Sequence, residues 1–264
     1  MRFRIHIHTR SRYLPVDYQY ALSAAVYKQI SRGDEVYSNF LHNQGFSAGD
    51  HRRFKLFTFS ALHLPKYKLW KEKGVFELYE GNLSFVVSFM ADQAAEAFIK
   101  GMFQDQEFSI GDRFASIEAE VTHVEAMPRP LFLNEMHYRC LNPMTVSVKE
   151  QGQRYETYLY PDDPRFGEQM IRNLLSKSIA HRLLTADANT TDAEALNFQL
   201  LGDYQQKRIR IKPYTREEVS VKGFLFKFSL TAPDYLQELA YYSGFGDNNA
   251  MGFGCGEVIE KNSL

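Results

Sequence analysis

The sequence predicts an α+β protein of two tandem ferredoxin-like (βαββαβ) units, 1–126 and 127–264, from three observations. Strand-like runs of period two alternate with helix-like runs of period 3.6 along the whole chain. The order of these runs in the first half returns in the second, with one set of strands and two main helices each time, as a ferredoxin-like unit requires. Between the halves stands Met127-Pro128-Arg129-Pro130, and prolines so placed stop both a helix and a central strand. With 264 residues, 44% of them hydrophobic, the chain is long enough to build two cores.

The first strand, residues 3–9, sets Phe3, Ile5 and Ile7 on one face and Arg2, Arg4, His6 and His8 on the other. His6 and His8 have a spacing that can hold a metal, but no third ligand accompanies them, so no metal is expected. After Pro15, a helix over 18–30 buries Leu22, Ala25, Val26, Gln29 and Ile30, carries Tyr27 at the border of that stripe, and stops at Gly33. A short helical stretch over 35–42 leads into a basic, glycine-containing loop, 43–53, with His51, Arg52 and Arg53 close to His42. A strand over 54–62 follows, with Lys55 near its start. Runs 75–79 and 83–90 meet at Glu80-Gly81-Asn82 as a hairpin. A helix over 92–101 turns Ala95, Phe98 and Ile99 inward, and residues 114–125 alternate again.

In the second half, strands are expected at 137–140, 145–148 and 155–160. The long helix 164–184 then carries Met170, Ile171, Leu174, Leu175, Ile179 and Leu183 along one side. Strands 207–212 and 224–230, a proline-led helix 233–242 and a last strand 257–260 complete the unit.

The formal net charge is −1, so the molecule as a whole does not attract a polyanion, and any such partner needs basic residues gathered locally. One place gathers them. As a strand, 207–212 lines up Arg208, Arg210 and Lys212 on one face at about 7 Å intervals, close to the spacing of phosphates; a solvated charged face is the alternative. The stretch Gly244-Phe245-Gly246-Asp247-Asn248-Asn249-Ala250-Met251-Gly252-Phe253-Gly254-Cys255-Gly256 points the same way, because glycines let a backbone pack close against something bulky or anionic. It is neither a Walker loop, lacking a following Gly-Lys-Ser/Thr, nor a dinucleotide fingerprint, since no helix pattern comes after it. Cys140 and Cys255 form no disulfide framework and no ligand cluster. The start lacks the apolar core of a signal peptide and no run is long enough to span a membrane, so a reducing cytoplasm is the expected compartment.

A further constellation is Tyr27, His42 and Lys55. RNA can be cut by its own 2′-hydroxyl, given a base for that hydroxyl, an acid for the leaving 5′-oxygen and a cation for the charge on phosphate. Histidine, with a pKa near 6.5, serves as acid or base, whereas tyrosine, near 10, needs a nearby lysine to lower it. Taken singly, His42 could equally cap a helix, Tyr27 be an aromatic at the core edge, and Lys55 be solvated.

The glycine stretch resembles the C-terminal signature of the CRISPR-associated repeat endoribonucleases of the RAMP superfamily. So do Met1-Arg2-Phe3, Gln19-Tyr20, Val26-Tyr27, Phe40-Leu41-His42, residues 55–60 and the run Arg208-Ile209-Arg210-Ile211-Lys212-Pro213, which together reach nearly the whole chain. The resemblance implies cleavage of precursor CRISPR RNA within its repeats to a 2′,3′-cyclic phosphate, with no metal or other cofactor. It implies that Tyr27 assists deprotonation of the 2′-hydroxyl, His42 is the acid-base group and Lys55 stabilises the transition state, with His51 of the longer 43–54 loop as an alternative to His42. Arg208, Arg210, Lys212, Gly244, Gly246, Gly252, Gly254 and Gly256 are then the expected RNA-binding residues. The implied partners are the repeat RNA, other effector subunits and a second copy of the chain. The competing readings are a RAMP subunit that holds CRISPR RNA without cutting it and an unrelated ferredoxin-like metabolic enzyme.

Overall fold

The computed structural model describes residues 1–49, 52–150, 152–153, 155–185 and 196–260. In chain order the first half runs β1 (Arg2–Thr9), β2 (Tyr13–Pro15), α1 (Gln19–Gly33), α2 (Glu35–Asn43), β3 (Phe46–Ser47), β4 (Arg53–Phe54), β5 (Phe57–Phe59), β6 (Tyr67–Trp70), β7 (Val75–Leu78), β8 (Asn82–Phe89), α3 (Asp92–Gln104), β9 (Glu107–Gly111) and β10 (Ser116–Ala126). The second runs β11 (Glu135–Cys140), β12 (Ser147–Val148), β13 (Thr157–Tyr158), α4 (Pro164–Thr185), β14 (Asn197–Ile211), β15 (Val219–Thr231), α5 (Asp234–Ser243) and β16 (Gly256–Val258). The fold is mixed α+β around two main antiparallel sheets.

The first sheet has the order β5-β8-β1-β10-β9. β1 takes its centre because Phe3, Ile5 and Ile7 form an unbroken apolar face, and both its edges are paired. The expected stripe of α1 is buried. α1 then crosses α3 with backbones in contact: a Cβ on Gly33 would lie 1.8 Å from the Ala97 carbonyl oxygen, and one on Gly101 1.8 Å from that of Gln29. Any side chain there would push the helices apart. The second sheet has the order β14-β15-β11-β16 and an aromatic core, where Tyr138 and Phe245 pack 5.0–5.4 Å from Phe228.

Several expectations change. Runs 75–79 and 83–90 are not a hairpin: β7 pairs with β2 and β6 in a separate three-stranded sheet, while β8 pairs with β1 and β5. Glu77 fixes β7 there by accepting from Arg12 and from the Trp70 indole. The strand expected over 54–62 divides into β4 and β5 because Leu56 takes φ 54°, outside strand geometry. Arg2, assigned to the solvated face of β1, is buried: its guanidinium lies 4.2 Å from the centre of the Tyr241 ring and donates to the Gly256 carbonyl at 2.8 Å. The second half covers that end of β1. On α4, Leu175 and Ile179 are 39% and 51% exposed, whereas Phe166, Met170, Asn173, Leu174 and Lys177 are buried; the side chain of Leu183 lies outside the described residues.

Candidate active site and nucleic-acid interface

A cleft of about 1140 Å³ opens between the halves. Tyr27 of α1, His42 at the end of α2 and Lys55 after β4 all line it, so the sequence-selected trio does gather in one place. Leu56, at positive φ, bends the chain just after Lys55. The Tyr27 ring packs edge-on against His42, centroids 5.9 Å apart, and against Phe57 at 5.3 Å. His42 is exposed, with Nδ1 3.2 Å from the Asn43 side-chain oxygen. The Lys55 ammonium donates to the Leu41 carbonyl and, at 3.0 Å, to that of His42. It thereby caps the negative end of α2 and is held beside the histidine.

Electrostatics divides the trio. Desolvation pushes the Tyr27 phenol up from its ordinary value, with no lowering influence from Lys55, so the phenol keeps its proton. Burial, and then Arg53, push the Lys55 ammonium down. His51 lies outside the described residues.

The glycine stretch meets something bulky, and that partner is the protein. A Cβ on Gly252 would lie 2.3 Å from the Phe59 ring, one on Gly254 1.8 Å from the Phe245 carbonyl oxygen, and one on Gly256 2.9 Å from the Phe245 ring. The N–H groups of Gly244, Gly252 and Gly254 donate to the carbonyls of Ala240, Asn249 and Pro143, so these amides are engaged inside the fold rather than aimed at a phosphate. The loop's carbonyls receive donors from the other half: Gln19 to Met251 and Gly252 at 3.0 Å, Ser23 to Ala250 at 2.8 Å, and Thr58 to Phe253 at 3.0 Å. Of the five glycines, Gly246 borders the cleft, together with residues 247–251.

The basic strand is also more structured than its spacing suggests. Arg208 is exposed on β14, but Arg210 donates to Asp17 of the first half at 2.8 Å, and Lys212 pairs with Glu217. Lys212 has left the strand, at φ 50°, and borders the cleft.

Residues 126–258 match the family model described as CRISPR associated protein Cas6, C-terminal, and residues 13–120 match the one described as CRISPR-associated protein Cas6, N-terminal. The chain belongs to the Cas6 family. It is 28% identical over 259 residues to CRISPR-associated endoribonuclease Cas6 1 of Methanocaldococcus jannaschii, covering 96% of this chain and 91% of that one. It is 25% identical over 263 residues to CRISPR-associated endoribonuclease Cas6 of Pyrococcus furiosus, covering 98% and 90%. Among solved structures, the product of a Cas6-related gene from Pyrococcus furiosus superposes with a TM-score of 0.81 at 20% identity over 99% of both chains. A RAMP protein binding different RNA substrates superposes with a TM-score of 0.78 at 19% identity, over 98% of this chain and 100% of that one. At such identities the likeness is one of fold.

In this Cas6-family chain the cleft also holds residues that sequence reasoning passed over. Lys177 of α4 is 2% exposed, and its ammonium donates to Gly244 O at 2.7 Å, Gly246 O at 3.0 Å and Asn249 Oδ1 at 2.6 Å. Desolvation pushes it down to about 7, against an opposing pull from Asp247. Asp247, itself raised by burial, accepts from Asn173 at 2.8 Å and from the Ser147 N–H at 2.8 Å. The stripe through Phe166, Met170 and Leu174 continues to Lys177, so a lysine on an apolar stripe was the signal available. Among the described residues no group of His, Cys, Asp and Glu is arranged to hold a metal, and no helix is long and apolar enough to cross a membrane.

Proposed function

We propose that the chain is an endoribonuclease that cuts precursor CRISPR RNA within its repeats, without a metal, through the RNA's own 2′-hydroxyl. The observation that carries this reading is the meeting of Tyr27, His42 and Lys55 in one cleft whose other walls include Lys212 and the glycine loop. The names of the two endoribonuclease relatives support the reaction class. In the reaction, the 2′-oxygen attacks the adjacent phosphorus and the 5′-oxygen departs, leaving a 2′,3′-cyclic phosphate upstream and a 5′-hydroxyl downstream. The 2′-hydroxyl gives up its proton and the departing 5′-oxygen takes one, so no net proton is consumed; His42 serves one of these two transfers as acid-base group and water serves the other, with His51 as the alternative to His42. Lys55, anchored to the end of α2, faces the charge that builds on the phosphate. Tyr27 keeps its proton and enters as a hydrogen-bond donor to substrate, not as a base.

Each half is a ferredoxin-like domain in this proposal, 1–126 and 127–264. The strand orders β10-β1-β8-β5 and β16-β11-β15-β14 support it, since each is the 4-1-3-2 order of a βαββαβ unit, with β9 added at one edge. Arg208 meets phosphate directly, and Gly246 contributes backbone to the RNA-facing wall. The glycines at 244, 252, 254 and 256 act by letting the loop pack.

Labelled repeat RNA incubated with the protein in EDTA tests the reading. Wild type cuts it, His42→Ala loses about 10²–10⁴ in single-turnover rate with little change in binding, and a substrate with 2′-deoxyribose just upstream of the scissile phosphate is bound and left uncut. Loss of cutting in EDTA, or cutting of the deoxy substrate, overturns the mechanism. Retained cutting by His42→Ala with loss in His51→Ala moves the proton to the loop histidine. Binding by wild type without any cutting assigns the chain to the class of RNA-holding subunits.

A further inference from the structure

Tyr20 and Lys212 border the cleft and also line a second groove of about 530 Å³. This groove runs between Asp17, Ala21, Gly111 and Asp112 of the first half and the turn after β14, including Pro213 and Thr215. Two exposed aromatic rings adjoin it. Phe114, two residues beyond Asp112, is 66% exposed, and Tyr214, between Pro213 and Thr215, is 42% exposed. Their rings meet edge to face with centroids 4.7 Å apart, one ring from each half of the molecule. The Arg113 guanidinium lies 4.7 Å from the centre of the Phe114 ring and 5.7 Å from that of Tyr214, and Arg210 lies 4.9 Å from the Tyr214 ring.

The turn that presents Tyr214 is strained. Lys212 and Tyr214 take φ 50° and 62°, a region non-glycine residues rarely occupy and one that clusters at ligand-binding sites. The Tyr214 N–H donates to the Glu218 carboxylate at 2.7 Å, Thr215 Oγ1 donates to the Lys212 carbonyl at 2.8 Å, and Arg210 donates to the Tyr214 hydroxyl at 3.3 Å. Three bonds therefore hold an apolar ring out toward solvent. Two of the nearby cations are ion-paired, Arg210 with Asp17 and Lys212 with Glu217, and Asp112 accepts the N–H groups of Phe114 and Ala115, while among the described residues Arg113 and the groove-lining Arg216 carry no ion pair. Arg216 is therefore left to meet the backbone of a strand in the groove, and beside it the patch offers the aromatic faces and the plane of Arg113.

We propose that Phe114 and Tyr214 form a stacking platform for one unpaired base of the RNA strand where it leaves the cleft along this groove. The inference rests on the reading of the chain as an RNA-cutting enzyme and adds a binding site outside its catalytic cleft. Stacking on aromatic rings suits the patch because every base has a π-face, so the platform accepts a strand without reading its sequence.

The test uses the full chain and repeat RNA from the host's own CRISPR array, with 2′-deoxyribose at the scissile position so that binding is measured without cutting. Phe114→Ala is expected to weaken binding about 5- to 150-fold, the usual worth of one base stacked on an aromatic ring. The slope of log affinity against log salt stays unchanged because no phosphate contact is lost. Phe114→Trp restores affinity, and the cutting rate of the unmodified RNA at saturation stays that of wild type. Along a series of RNAs each lacking one base, a single position makes wild type bind as weakly as Phe114→Ala, while the variant loses nothing more. Wild-type affinity in Phe114→Ala, a reduced salt slope, or additive losses at every abasic position overturns the platform while leaving the proposed enzyme standing. A wild-type protein that neither binds nor cuts repeat RNA overturns both.

Discussion

Replacing Lys177 with methionine keeps most of the side-chain volume and removes the charge and all three donors. The donors satisfy Gly244 O, Gly246 O and Asn249 Oδ1, all within 3.0 Å, and leaving a buried acceptor unpaired costs about 1–3 kcal/mol. Three such acceptors amount to about 3–9 kcal/mol. Against this stands the cost of burying the ammonium. A fall from 10.5 to about 7 disfavours the charged form by about 5 kcal/mol, and methionine carries no such cost. The two opposing contributions leave a net change between a gain of about 2 and a loss of about 4 kcal/mol, each kcal/mol moving the melting temperature by roughly 2–4 °C in a chain of this size, so the value at a single pH decides little. The pH dependence supplies a sharper readout. Between about 7 and 10.5 the unfolded lysine holds its proton and the folded one does not, so wild type gains stability as pH rises. Below about 7 both states hold the proton and this contribution stays at its lowest value. In thermal melts of both proteins from pH 6.5 to 9.5, wild type should therefore gain on the variant above neutrality by up to about 1.4 kcal/mol per pH unit. A difference between the two that stays the same from about pH 7 to 9.5 refutes the claim that a buried, desolvated lysine anchors the glycine loop.

Gly254→Ala sets a Cβ 1.8 Å from the Phe245 carbonyl oxygen at φ 67°, so it should lower the melting temperature whether or not RNA is present; an unshifted melt removes the packing role of that glycine. The basic residues should separate in a salt titration of RNA binding. Arg208→Ala should reduce the log–log slope by about 0.7, the share of one single-strand phosphate contact, whereas Lys212→Ala, which frees Glu217, should change it less. Equal slopes for the two variants would show that the ion pair with Glu217 opens when RNA binds.

Local chemistry made much of this protein legible in its sequence. The alternation of Phe3, Ile5 and Ile7 marks the central strand, and the stripe from Leu22 to Ile30 marks the first helix, because burying one face is a demand each element makes on its own residues. Tyr27, His42 and Lys55 could be picked out as chemically apt, and the fold does bring them to one cleft. Which strand pairs with which was not legible: β7 and β8 are adjacent in the chain yet belong to different sheets, since pairing depends on edges supplied by distant segments such as β2 and β1. Burial set by the opposite half was equally hidden. Arg2 reads as solvated until Tyr241 and the Gly256 carbonyl cover it. Within the second half, Lys177 continues the apolar stripe of α4, but only the fold shows that three oxygens of the distant loop surround its ammonium. The glycine stretch joins both kinds of information. Its sequence alone determined that a backbone must approach something closely, because only glycine leaves that space empty; the tertiary structure alone decided that Phe59 of the first half fills it at Gly252, and that the stretch folds back on its own Phe245 at Gly254 and Gly256, because neither contact is between residues adjacent in the chain.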